Sequence, residues 1–176
     1  MTKLFLILTI LFLSDSKSEL EIRCEDIIKS YFDSGITFEK IKFTIPKEIK
    51  NKVERENRQR FYGDFVYVWK VYQSGNHTAT AILDNVIGKS LPITFLVLIN
   101  EKGEIIGSEI VRYREPYGGA VQEKSWLRQF TGRNDNSSFE VGRDINTISG
   151  ATISVNSVST GIKKVVMLHS FIKDVL

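Results

Sequence analysis

The sequence predicts an α+β domain: an antiparallel β-meander covered on one face by a C-terminal helix and preceded by short N-terminal helices. Two observations predict this class. Between Phe65 and Tyr113, segments rich in β-branched and aromatic residues alternate with turn residues. From Val158 onward, apolar residues recur at helical spacing. Because strands joined by short connections pair with their chain neighbours, the strands form a meander, and the helix buries its apolar stripe against it.

Composition places the chain among single globular domains. It has 176 residues, of which 42% are hydrophobic, and a formal charge of +3. These values exclude disordered, collagen-like, coiled-coil and polytopic membrane classes. The charge is too small, and too evenly interspersed, to predict a nucleic-acid partner. Cys24 is the single cysteine, so no intrachain disulfide forms, and we interpret it as an ordinary thiol.

Residues 1–18 have the parts of a secretory signal peptide. Lys3 is followed by a predominantly apolar stretch from Leu4 to Leu13 and then by small residues from Ser14 to Ser18. The apolar stretch is well short of the roughly 20 residues that span a bilayer. We therefore predict export to the periplasm or to the outer face of the cytoplasmic membrane, with an uncleaved N-terminal anchor as the alternative.

The first part of the exported chain contains short elements. Residues 19–32 place apolar side chains on one face of a helix, and residues 36–45 are β-rich. Residues 47–59 predict a solvated helix with little apolar face beyond Ile49 and Val53. We interpret its charged side chains as a solvent face and not as a binding patch.

The meander and the final helix follow. The predicted strands cover residues 65–72, 77–86, 92–100 and 105–113, and each connection contains turn residues. The C-terminal helix presents an apolar stripe that is expected to cover the sheet. Its residues are Val158, Ile162, Val165, Val166, Leu168, Ile172 and Val175.

Common catalytic and metal-binding motifs are absent. The sequence has no Gly-x-Ser-x-Gly, no glycine-rich nucleotide loop and no Cys-x-x-Cys-His. His77 and His169 are far apart and lack the spacing of metal ligands. We therefore assign no catalytic residue and no metal site.

The segment from Asp144 to Ser154 contains chemistry that the fold does not explain. Its small residues allow close backbone approach, and its hydroxyls lie where a helix begins, with unpaired N–H groups and a partial positive charge. Such an end favours a phosphate. Alternatively, Ser154 or Ser157 caps the helix and Gly150 serves a turn. The candidate binding residues here are Ser149, Gly150, Ala151, Thr152 and Ser154.

The run Ser149–Thr152 resembles the covalent flavin-attachment motif of the FMN-binding domain family. That family includes the periplasmic flavin subunits of the sodium-pumping NADH:quinone reductase and of the Rnf electron-transport complex. The resemblance implies that an FAD-dependent flavin transferase joins the Thr152 hydroxyl to the phosphate of FMN. The family motif begins with Asp three positions before the Ser. Here Asn146 holds that position, and Asp144 lies two residues earlier.

The resemblance extends upstream. Residues 113–119 are similar to the loop that follows the meander in the family, and residues 126–132 resemble its next short helix. Similarity in motifs covers about Ile93 to Val166. The resemblance implies that residues 91–176 are the FMN-binding part of the domain and residues 19–90 its N-terminal part.

The loop before the motif contains candidates for contact with the flavin ring. Aromatic faces suit stacking, and glycines allow close backbone approach. Arg114, Lys124 or Arg128 is expected to favour the negatively charged reduced ring. Core packing is the alternative for Trp126, and a loop carboxylate is the alternative for Glu115. The candidates are Glu115, Tyr117, Gly118 and Trp126.

Together these features predict an exported electron carrier with FMN covalently bound at Thr152. Its expected partners are the flavin transferase, and a membrane oxidoreductase or another extracytoplasmic redox protein. The alternative is a flavin-free or non-covalent FMN-binding module that acts as a sensory or structural subunit of a membrane redox complex.

Overall fold

The computed structural model describes residues 17–176, so most of the predicted signal peptide lies outside the described residues. The α+β class is confirmed. The helices are α1 (Glu19–Lys29), α2 (Lys47–Asn57), α3 (Lys124–Leu127) and α4 (Thr152–Ile172). The strands are β1 (Ile36–Thr44), β2 (Phe65–Gln73), β3 (Asn76–Ile87), β4 (Pro92–Asn100) and β5 (Ile105–Arg112). No helix within this part of the chain is long and apolar enough to span a bilayer.

The strands form one antiparallel sheet in the order β1-β2-β3-β4-β5. The predicted meander is confirmed, and the β-rich segment at residues 36–45 adds a fifth strand at its edge, where Ile41 lies opposite Val68. In the centre of the sheet, Leu83 pairs with Leu96 across β3 and β4. The sheet is continuous across residue 90, because β3 and β4 are neighbours.

Helix α4 covers one face of the sheet. Gly161 lets it approach closely, because a Cβ there would lie 2.6 Å from a Val86 methyl carbon and 3.0 Å from the Phe95 ring. The predicted apolar stripe is buried from Val158 to Ile172. Val175 is an exception, since the helix ends at Ile172 and the Val175 side chain is 70% exposed.

A buried ion pair also joins α4 to the sheet. Lys164 of α4 lies 3.0 Å from the Asp84 carboxylate of β3, and both side chains are almost fully buried. Lys164 also donates to the Arg60 carbonyl at 2.8 Å. Because burial raises the pKa of Asp84 while Lys164 opposes that rise, each charge depends on the other for its stability in the core.

Helix α1 covers the other face of the sheet, where Cys24 and Ile28 are fully buried. The helix ends at Lys29, earlier than predicted, because Tyr31 leaves it to lie against Gly107 of β5. A Cβ at Gly107 would overlap the Tyr31 ring at 2.1 Å. This contact fixes the C-terminal end of α1 beside the edge strand.

Helix α2 lies against α4 as well as in solvent. Val53 is fully buried, and Asn57 donates to the Thr160 carbonyl of α4 at 2.9 Å. Most of the charged side chains of α2 are exposed, as predicted. The sequence-based description of α2 as solvated is therefore correct for its charged face and incomplete for the side that supports α4.

Candidate functional site

A groove of about 490 Å³ opens where α4 begins. Three segments form its walls: the turn between β3 and β4 (residues 89–91), the loop after β5 (residues 115–118) and the start of α4 (residues 150–154). This volume lies in the range typical of small-molecule sites. The fold thus brings together seven of the predicted binding residues, Glu115, Tyr117, Gly118, Gly150, Ala151, Thr152 and Ser154.

The N-terminus of α4 has no side-chain cap. The N-cap residue is Ala151, and no side chain within residues 17–176 accepts a hydrogen bond from the first-turn N–H groups of the helix. The alternative in which Ser154 or Ser157 caps the helix is therefore wrong, because both lie inside it. The N–H groups of the first turn and the positive end of the helix dipole remain available to an anion in the groove.

Thr152 is the first residue of α4 and is exposed in the wall of the groove. Gly150 precedes it with φ +76, and nothing lies within 4 Å of the position that a Cβ would take. Gly150 therefore serves the turn into the helix, through a backbone conformation that glycine adopts readily. Ser149 is exposed and does not line the groove.

The loop after β5 packs tightly against the start of α4. The Tyr113 hydroxyl lies 2.5 Å from the Tyr117 carbonyl oxygen and 2.9 Å from Ser154 Oγ. Gly118 has φ +80, and a Cβ there would lie 2.7 Å from Ser154 Oγ. A larger residue at Gly118 would therefore separate the loop from the helix.

Glu115 holds the loop to the turn between β3 and β4. Its Oε1 accepts the N–H groups of Ser90 and Leu91, the latter at 2.8 Å. The N–H groups of Leu91 and Ser90 hold the pKa of the Glu115 carboxyl below its usual range. Among residues 17–176, the only other charged side chain lining the groove is Lys89.

Apolar side chains at the rim of the groove are exposed. The exposed fractions are 42% for Leu91, 80% for Tyr117 and 49% for Ile153. All three line the groove. Exposed apolar side chains grouped around a concavity are typical of a surface that binds a ligand. The arrangement suits a ligand with an anionic group at the helix end and a flat apolar part against the rim.

Trp126 lies apart from the groove. Its side chain is 7% exposed and packs edge-on against Phe130, with ring centroids 5.2 Å apart. Its Nε1 donates to the Asn146 carbonyl at 2.8 Å. This placement agrees with the core-packing alternative, and it gives Trp126 a role in fixing the segment that leads to Thr152.

The cations predicted to act on a flavin ring also lie elsewhere. Arg114 donates to the Pro92 carbonyl and to Thr94 Oγ1. Lys124 and Arg128 line a second groove, described below. None of the three lines the first groove. Lys89, which carried no recognisable sequence motif, is the cation there.

The Asn146 side chain is exposed to solvent, while its backbone N–H and its backbone carbonyl both form hydrogen bonds. Its N–H donates to Gln129 Oε1 at 2.8 Å, and its carbonyl accepts from Trp126. The Asp144 carboxylate is occupied in its own loop, since hydrogen bonds from Ser138 and Arg143 lower its pKa. Asp144 therefore does not replace the acidic side chain that the family motif has at position 146.

The described residues contain no cluster of three or more His, Cys, Asp or Glu side chains that could hold a metal ion. His77 lies at the start of β3, and His169 is buried in α4. Sequence reasoning missed Lys89, Ser90 and Leu91, because a turn between strands gave no reason to expect it beside the start of α4.

Comparison with known families agrees with the geometry. The model of the FMN-binding domain family matches residues 88–167, a span that begins at the β3–β4 turn and ends within α4. All three walls of the groove lie within it. No curated protein matches the chain. The match identifies residues 88–167 as an FMN-binding domain, and the cofactor of this domain is FMN.

Proposed function

We propose that the protein is an extracytoplasmic electron-transfer flavoprotein that carries FMN on Thr152 through a phosphoester bond. One observation carries this proposal: Thr152 is exposed at the first position of α4, at a helix end without a side-chain cap, inside the groove. A phosphate joined to its hydroxyl lies next to the first-turn N–H groups. Bound FMN supplies the electron uptake and release, because the ring system carries the redox chemistry.

The residues of the groove fit FMN at both ends. The helix end and the small side chain of Ala151 suit the phosphate, and Gly118 keeps the loop close to the helix. Leu91, Tyr117 and Ile153 offer apolar surface to the ring. The protein thereby contributes position, electrostatics and partial exclusion of water.

Attachment requires a separate flavin transferase that uses FAD. The Thr152 oxygen forms the new bond to the FMN phosphorus, and the pyrophosphate bond of FAD breaks. AMP leaves, and the hydroxyl proton passes to the leaving phosphate or to solvent. A covalent bond has a clear advantage outside the cytoplasm, where lost FMN would not readily be replaced.

The proposed location rests on residues 1–18, whose charged start and apolar stretch are typical of an export signal. The proposed electron donors and acceptors are a membrane oxidoreductase and other extracytoplasmic redox proteins. Exposed Tyr117 and Ile153 at the rim leave the bound ring close to the surface, where a redox partner can approach it. We propose no nucleic-acid partner.

The second candidate function is a module that binds FMN without a covalent bond, or has lost it, and acts as a sensory or structural subunit of a membrane redox complex. Asn146 favours this alternative, because its uncharged side chain is exposed at the position where the family motif has Asp. A transferase that needs the carboxylate would modify Thr152 poorly.

Intact-protein mass spectrometry tests the first proposal. The protein is exported from a host that also expresses a flavin transferase, and Thr152→Ala is made in parallel. Thr147→Ala is the matched control, because Thr147 is an exposed hydroxyl in the same segment and does not line the groove. We expect a gain of one FMN less one water in the wild type and in Thr147→Ala, and no gain in Thr152→Ala.

Two other results are informative. No gain in any variant, with FMN still bound after gel filtration, would contradict covalent attachment and favour the non-covalent module. An Asn146→Asp variant that gains FMN where the wild type does not would show that residue 146 limits attachment.

A further inference from the structure

We propose that Tyr113 and Glu115 are positioning residues, which hold the three walls of the groove in place before FMN arrives. This inference rests on the proposed function, because it concerns how the same groove is prepared. Tyr113 joins the loop at residues 115–118 to the start of α4, and Glu115 joins that loop to the turn at residues 89–91.

The direction of the hydrogen bonds at Tyr113 follows from counting protons. The Tyr113 hydroxyl has one proton, and the Tyr117 carbonyl can only accept, so Tyr113 donates to Tyr117. Ser154 Oγ must then donate to the Tyr113 oxygen across 2.9 Å. Ser154 is only 5% exposed, and its proton is committed to this bridge. Ser154 therefore supports the wall and does not donate to a phosphate.

The link at Glu115 is equally specific. One carboxylate oxygen accepts two successive backbone N–H groups, from Ser90 and Leu91. Gly88 lies beneath the carboxylate, where a Cβ would come within 2.7 Å of Oε1 and 3.0 Å of Cγ. The turn therefore closes around Glu115, and Oε1 is occupied by the chain itself.

These links matter because the loop has no regular structure of its own. Strand β5 ends at Arg112, and the next helical turn begins at Gly119. Between them, the exposed Tyr117 depends on the Tyr113 and Glu115 bonds for its position. If the loop is already ordered, flavin binding does not have to include the entropy cost of ordering it. The ordered loop also fixes the position of the ring relative to Thr152.

The test begins with flavin-free protein, the full chain made in a host without transferase, so that it does not depend on attachment. Tyr113→Phe removes the hydroxyl and keeps the ring. Glu115→Ala removes the acceptor, and Glu115→Gln keeps an oxygen at the same place. Tyr62→Phe is the matched control, since Tyr62 is 60% exposed and lies outside the groove.

Amide hydrogen exchange then reports on the walls. We expect the amides of Ser90 and Leu91 to exchange about three- to tenfold faster in Glu115→Ala. This increase corresponds to the loss of one hydrogen bond. Glu115→Gln should restore most of the protection. We expect faster exchange in the loop at residues 115–118 in Tyr113→Phe, and no change in Tyr62→Phe.

A second readout uses loaded protein. Faster depolarisation of flavin fluorescence in Tyr113→Phe and Glu115→Ala, with Glu115→Gln close to the wild type, supports the positioning role. Unchanged exchange in both Tyr113→Phe and Glu115→Ala would overturn it. Suppose that Glu115→Gln exchanges its amides at the wild-type rate and yet loses flavin. The positioning role of Glu115 would then be wrong, because the negative charge of Glu115 would be acting on FMN itself. If wild-type protein gains no flavin, the proposed function fails while the exchange result still stands.

Discussion

Two grooves of nearly equal size differ in almost every other respect. The groove at the start of α4 has a volume of about 490 Å³, and the second has about 510 Å³. The first lies at the N-terminus of a helix. The second lies at the C-terminal end of α1, beside the edge strand β5. Its polar and charged lining includes Tyr31, Ser108, Glu109, Lys124, Arg128 and Thr131.

The two grooves differ in how their carboxylates are placed relative to a helix end. In the second, Glu109 accepts from the Tyr31 hydroxyl at 3.0 Å and lies 3.9 Å from Lys124. Burial, together with the Glu109 charge, raises the pKa of Tyr31 well above its ordinary value, so Tyr31 stays protonated. A carboxylate and the negative end of a helix dipole both oppose a phosphate there. In the first groove the helix end favours one, and the backbone N–H groups of Ser90 and Leu91 form hydrogen bonds to the Glu115 carboxylate.

Volume alone therefore does not identify the candidate cofactor site in this fold, because the two grooves are nearly equal in size. The first groove has features that suit FMN, namely first-turn N–H groups at a helix end, the exposed Thr152 hydroxyl and exposed apolar walls. In the second groove, the Glu109 carboxylate is already engaged by Tyr31 and Lys124.

The largest effect is expected at Gly118. Gly118→Ala places a Cβ 2.7 Å from Ser154 Oγ and 2.9 Å from Tyr113 Oη. We expect a loss of about 2 to 5 kcal/mol in the free energy of unfolding, from overpacking plus the left-handed φ, together with loss of FMN. Gly103→Ala is the control, because Gly103 has φ +82 and nothing within 4 Å. Denaturant unfolding measures both, and equal losses would contradict the tight packing at Gly118.

Acid should weaken the fold away from the first groove. Burial, helped by Lys173 and His77, lowers the pKa of His169 to about 4. The unfolded chain therefore takes up this proton first, and stability falls as the pH drops from about 6.5 to about 4, by about 3 kcal/mol in total. The pKa of the Glu115 carboxyl is held below its usual value, so Glu115 takes up its proton at a lower pH than an ordinary glutamate.

Unfolding of wild type and His169→Leu at several pH values checks this expectation. The variant should lose less stability between pH 7 and pH 4, whatever its stability at neutral pH. Parallel curves for the two proteins would contradict the assignment to His169.

The smallest effect concerns the cations of the two grooves. Lys89→Gln should lower the reduction potential of loaded protein by on the order of 10 to 30 mV, since a nearby exposed cation stabilises added negative charge on the flavin. Arg128→Gln, in the second groove, should leave the potential unchanged. Spectroelectrochemical titration measures both. A larger shift in Arg128→Gln would place the flavin in the second groove.

Local patterns were sufficient to predict most of the fold. Side chains alternate from Phe65 to Val71 between the α1 and α4 faces, as expected of the predicted strand, and the helical stripe of α4 is buried through Ile172. The fifth strand was not assigned to the sheet, because β1 pairs with β2 across the intervening α2. The charged sequence of α2 concealed its contact with α4, which depends on Val53 and Asn57.

The residues of the candidate site also fall into those that the sequence could predict and those that it could not. The helix start with Thr152 was identifiable from its own residues and from the family resemblance, since all of it is contiguous in the chain. Lys89 and the hydrogen bonds of Tyr113 were not identifiable from the sequence, because strand register and loop packing bring them to the groove. For Trp126 the sequence left ring contact and core packing open, and its buried side chain agrees with core packing.

Hydrogen exchange on flavin-loaded protein, compared with Thr152→Ala, tests the central claim most directly. We expect FMN to protect the amides at residues 152–154 and those of Glu115, Tyr117 and Gly118, and to leave residues 106–109 and 128–131 unchanged. Protection confined to the second groove, or no difference between the two proteins under conditions that load the wild type, would contradict the assignment of FMN to the start of α4.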